Sequence, residues 1–105
     1  MITADFCIMP LGIEGTNIGD YVAKAVEIID KSGLNYQITA MGTQIETDDL
    51  KKLYEVCFEA QEAIFEMGSQ RVYAVLKIDE RRDKKNRSLE AKIKSVEDRL
   101  SKNKD

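Results

Sequence analysis

Histidine is missing from this chain of 105 residues. With it go the commonest general base near neutral pH and the commonest metal ligand. Cysteine occurs only as Cys7 and Cys57, far apart and outside any CxxC pair, which argues against a zinc centre or a thioredoxin-type dithiol. Both sit among apolar neighbours, so the expectation is two small packed thiols and no structural disulfide. No stretch approaches the ~20 apolar residues of a membrane span, and the first residues lack the basic flank and long apolar block of a secretory signal. These absences point to the cytoplasm and away from a membrane. They imply no metal and no cofactor.

The residues that are present fit one folded domain: 43% are hydrophobic and 33% charged, over a length suited to a single core. The net charge of −3 is unevenly laid. Residues 1–76 carry 5 basic and 12 acidic side chains, and residues 77–105 carry 11 and 7. The basic end does not read as a nucleic-acid tail. Asp79, Glu80, Asp83, Glu90, Glu97 and Asp98 interleave its positives, and it has no aromatic residue on which a base could stack.

Hydrophobic period then sets the elements. Ile2, Ala4, Phe6 and Ile8 alternate with Thr3, Asp5, Cys7 and Met9, which predicts a strand ending at Pro10, with an irregular connection over 10–15. Ile18, Tyr21, Val22, Ala25, Val26, Ile28 and Ile29 form a helical stripe, capped by Thr16 or Asn17 and stopped by Gly33. Residues 35–41 and 43–47 predict a hairpin with Gly42 as its turn residue. A second helix follows, capped by Thr47 or Asp48, with Leu50, Leu53, Tyr54, Cys57, Ala60, Ile64 and Met67 on its stripe. Residues 71–79 alternate again, and a charged connector is expected over 81–87. Leu89, Ile93, Val96 and Leu100 then give a helix over 88–102 a narrow, coiled-coil-like seam, too short to stand alone in water. It must dock on its own domain or on another subunit, and the second is favoured because the main fold is complete without it.

Strand, helix, strand, strand, helix, strand is the split βαβ order of an α+β, ferredoxin-like βαββαβ sandwich, here with an additional C-terminal helix. The division is a domain over 1–82 and a connector with an oligomerising helix over 83–105. The face without helices would show Thr3, Asp5, Cys7, Met9, Gln37, Thr39, Met41, Tyr73, Val75 and Lys77. Such a mixture is too apolar to stay wet, so self-association through it is expected.

Met9-Pro10-Leu11-Gly12, Tyr21-Val22-Ala23, Gly33-Leu34-Asn35-Tyr36, Met41-Gly42-Thr43-Gln44-Ile45-Glu46, Arg71-Val72 and Lys77-Ile78-Asp79-Glu80-Arg81 follow one another in an order and spacing that resembles the small thiamine-binding protein family, single-domain relatives of the YkoF-like proteins. The resemblance covers roughly residues 2–82. It implies a ferredoxin-like protomer assembling into a homodimer or homotetramer, and non-catalytic binding of thiamine or its hydroxymethylpyrimidine precursor at protomer boundaries.

The residues can supply such a site. Met41 and Met9 offer thioethers, Gly42 close approach to a flat ring, Thr43 a hydroxyl and Glu46 a carboxylate, with Tyr36 and Gly12 at the same end of the sheet. Each also has a plainer role: a turn glycine at 42, interface packing for the methionines, core packing for Tyr36, a solvated or ion-paired Glu46. Lys77, Asp79 and Arg81 suggest an ion-pair ladder across a subunit interface. Gly12-Ile13-Glu14-Gly15-Thr16 matches no phosphate-binding loop, and no nucleophile–base pair is visible. The alternative to a binding protein is a structural or regulatory homo-oligomer without a metabolite.

Overall fold

Alternation in Ile2–Leu11 (β1) puts Ile2, Ala4, Phe6 and Ile8 on one face, and all four are buried. In the computed structural model, which describes residues 1–83 and 88–103, β1 is followed by α1 (Gly19–Lys31), β2 (Asn35–Thr39), β3 (Gly42–Thr47), α2 (Leu50–Glu66), β4 (Arg71–Glu80) and α3 (Leu89–Asn103). The four strands form one antiparallel sheet in the order β2-β3-β1-β4, the ferredoxin-like arrangement. Helices α1 and α2 lie together on one face, where Ala25, Ile29, Leu53, Val56, Ala60 and Ile64 meet Phe6 and Ile45 in the core. The third helix is present as expected. Part of the connector expected over 81–87 lies outside the described residues.

Local signals hold at several ends and shift at others. Gly33 and Gly68 stop α1 and α2 at φ of 81° and 107°, where a Cβ would be strained. The N-cap of α1 is Ile18, without a side-chain cap, while Asn17 Oδ1 accepts from the Gly19 N–H at 2.9 Å. Asp49, not Thr47 or Asp48, caps α2 by accepting from the Lys52 N–H; Thr47 Oγ1 accepts from the Asp49 N–H one step earlier. Cys7 and Cys57 are free thiols, and burial pushes Cys57 up to about 11.

Pro10 does not end β1. The strand runs to Leu11, with Pro10 opposite Val72 of β4, because at that point β1 has a neighbour on one side only and proline is tolerated on an open edge. Gly42 is not the turn residue either. The hairpin closes through Ala40 and Met41, and Gly42 opens β3 opposite Thr39. Its missing Cβ answers a close approach: a methyl there would stand 2.8 Å from Asp5 Oδ1 and 3.1 Å from the Phe6 carbonyl oxygen.

On the face away from α1 and α2, α3 makes its contacts within the chain. Glu46 Oε2 accepts from the Leu89 N–H at 2.9 Å, placing a carboxylate at the helix N-terminus, and Ser88 Oγ caps Ala91 at 3.0 Å. Lys92 Nζ donates to Thr3 Oγ1 at 2.6 Å and pairs with Asp79. Within the chain Lys77 pairs with Asp5 at 3.6 Å, Lys92 with Asp79, and Arg81 with Asp83 at 2.7 Å. The apolar seam of α3 stays open, with Val96 56% exposed, as do Tyr73 and Val75 on the sheet.

Candidate functional site

The two central strands part company early. Pairing of β1 with β3 runs from Ile2↔Thr47 to Phe6↔Thr43 and stops, whereas β1 continues with β4 to Leu11↔Arg71. Past Phe6 a gap therefore opens between β1 and the β2–β3 hairpin, and α1 lies over it. The gap is a cavity of about 230 Å³, walled by Phe6 to Met9 of β1, Ala40 to Thr43 of the hairpin, and Val22, Ala25, Val26 and Ile29 of α1.

Its chemistry is mostly apolar, and no charged side chain among the described residues lines it. Thr43 stands apart. It is only 6% exposed, faces the helix side of the sheet beside Phe6, lines the cavity, and its hydroxyl makes no hydrogen bond to any described residue. With no partner among the described residues, this hydroxyl is an available donor and acceptor for whatever enters. Thr39, by contrast, spends its hydroxyl on the Gly42 carbonyl at 2.7 Å.

Of the seven residues singled out from sequence, the structure gathers Met9, Met41, Gly42 and Thr43 at this cavity. Met41, 85% exposed at the hairpin tip, forms the rim. The other three stand elsewhere. Tyr36 packs against the core and donates its hydroxyl to Asp30 Oδ1 at 2.9 Å, a bond that raises the phenol above its ordinary pKa. Glu46 holds the start of α3, and Gly12 sits at φ 77° in the loop after β1. Sequence reasoning missed Ile8, Val22 and Val26, because apolar positions on a strand and a helix read as core whether they meet protein or a hollow. Asp5, at the end of the β1–β3 ladder, keeps one buried carboxylate oxygen without a partner, beside Gly42. Among the described residues no cluster could hold a metal ion, and no helix is long and apolar enough to cross a membrane.

Fold and cleft together define a small ferredoxin-like α+β module with a partly open, largely apolar hollow. The model of the thiamine-binding protein family matches residues 4–97, and the chain belongs to that family. A UPF0045 protein of Methanothermobacter thermautotrophicus is 45% identical over 100 residues, covering 95% of this chain and 100% of the relative. The UPF0045 protein YqgV of Bacillus subtilis is 39% identical, covering 95% and 98%. The crystal structure of the hypothetical protein MJ1052 from Methanocaldococcus jannaschii, 38% identical, superposes with a TM-score of 0.82 over 90% of this chain and 94% of that one.

Proposed function

We propose that this protein binds thiamine or its hydroxymethylpyrimidine precursor without transforming it, and that the pyrimidine ring occupies the cleft between β1, the β2–β3 hairpin and α1. The observation that carries the reading is Thr43: a residue only 6% exposed, its hydroxyl without a partner among the described residues, lining an apolar hollow in a chain of the thiamine-binding family. A cavity of about 230 Å³ is smaller than the ~300–1,000 Å³ of sites for drug-sized ligands, and suits one flat ring. The neutral pyrimidine belongs inside, since a thiazolium cation would lose its hydration there with no carboxylate lining the walls. The thiazolium then lies at the rim, near Met41.

The cavity is built by one chain, so the site needs no protomer boundary to exist. Self-association as a homodimer or homotetramer is a separate proposal, supported by the exposed Tyr73 and Val75 on the sheet and by the open seam of α3. Calorimetric titration with thiamine and with hydroxymethylpyrimidine tests the binding reading. Saturable heat is expected for both, and Thr43→Val should weaken each about fivefold, the worth of one neutral hydrogen bond. Absence of heat and of any thermal shift at millimolar concentration of both compounds would leave the alternative, a homo-oligomer without a metabolite.

A further inference from the structure

The orientation of the β1 backbone can be read at its two ends. The Met1 amino group donates to the Arg81 carbonyl at 3.1 Å and the Arg81 N–H donates to the Met1 carbonyl at 3.2 Å, so residue 1 points both its groups toward the β4 side. The Phe6 carbonyl points the other way, toward β3, where it nearly touches the place of a Gly42 Cβ. In a strand the N–H and C=O of one residue point to the same side and successive residues alternate. Even-numbered residues of β1 therefore face β3.

Ile8 is the first even-numbered residue after the β1–β3 ladder ends. Its N–H and C=O face the edge that β3 has vacated, and no loop or side-chain group among the described residues bonds to them. That edge is the inner wall of the cavity, which Ile8 lines. Pro10, next on the same side, brings no N–H at all. The vacated edge thus offers one complete donor–acceptor pair and then stops.

We infer that the Ile8 backbone is the recognition element of the cleft, and that it selects flat heteroaromatic rings carrying an amine next to a ring nitrogen. In an intact ladder a residue so oriented exchanges both N–H···O bonds with one residue opposite. An aminopyrimidine presents the same complement in one plane: its ring nitrogen accepts from the Ile8 N–H, and its exocyclic amine donates to the Ile8 C=O. The ligand takes the place of the missing ladder residue, and Thr43 stands across the cavity for a further polar contact. An added peptide strand would need a row of such pairs, which Pro10 interrupts. The inference rests on the cleft being the binding site.

Two analogues of hydroxymethylpyrimidine test it: one with hydrogen in place of the amine, and one with CH in place of the ring nitrogen beside it. Each should bind about tenfold more weakly than the parent, since each leaves one Ile8 group buried and unpaired. In amide NMR spectra of the whole chain, the parent should shift the Ile8 N–H downfield and slow its exchange, and the ring-nitrogen analogue should not. Equal affinities for all three compounds would overturn the inference while leaving the cleft as a binding site. So would an Ile8 amide unmoved by saturating parent, or one already protected without ligand and increasingly so with protein concentration, the mark of strand pairing between copies. Failure of every compound to bind at millimolar concentration would remove the inference together with the reading beneath it.

Discussion

Helices α2 and α3 are nearly equal in length, 17 and 15 residues, yet the protein uses them in opposite ways. On α2 the apolar positions form a broad stripe, and Leu53, Val56, Cys57, Ala60, Ala63 and Ile64 are all buried against the sheet and α1. On α3 they form a narrow seam, and Ile93, Val96 and Leu100 remain exposed while the helix is held by Glu46 and by Lys92. A wide stripe is held by loss of apolar surface from water; a narrow one leaves the helix dependent on a few polar contacts at one end. The difference teaches that α2 is part of the fold and α3 an attachment to it.

The sharpest way to break this contrast is at its strong side. Leu53→Ala should destabilise the protein by about 3–5 kcal/mol in urea titration, because the residue is fully buried and its removal leaves a cavity. Alkaline pH should reveal the second effect. The Cys57 thiol rises to about 11 in the fold from an ordinary value of 9.0. The contribution is therefore complete below about pH 9 and is lost as pH climbs toward 11, amounting to roughly 2–3 kcal/mol. Comparing the pH dependence of unfolding with that of Cys57→Ala isolates it, and identical alkaline slopes would dismiss it.

Weaker effects are expected on the α3 side. Glu46→Ala removes the acceptor at the helix N-terminus and should release the first turn of α3 by about 1 kcal/mol, seen as faster amide exchange over residues 90–93 with the global transition unmoved. Replacing Ile93 and Val96 by Asp together should change unfolding by less than about 0.5 kcal/mol, since both already face solvent. Sedimentation of the same variant decides what the seam does: a lighter species assigns it to contacts between copies, and an unchanged one frees it of that role.

Much of the fold was legible because it is written in short periods. The two-residue alternation of Ile2 to Ile8 and the three- and four-residue steps of Leu53 to Ile64 are local, and each names both an element and its buried face. Pro10 and Gly42 misled for one shared reason. Both residues usually mark ends and turns, but here each answers to a neighbouring strand: Pro10 to an edge left open beside it, Gly42 to Asp5 and Phe6 pressed against it. The same distinction runs through the candidate site. Thr43 could be picked out as a hydroxyl with no evident structural duty, whereas Tyr36 and Glu46 had duties, to Asp30 and to Leu89, that no spacing reveals.

By itself, then, the sequence determined the seven elements, the helix-covered face of the sheet and the absence of any histidine chemistry, since propensity and periodicity act over a few residues at a time. Tertiary structure decided where β3 stops alongside β1, and with that the hollow under α1, the unpaired hydroxyl facing it and the open backbone of Ile8. Register is a property of two strands together, and neither strand alone carries it.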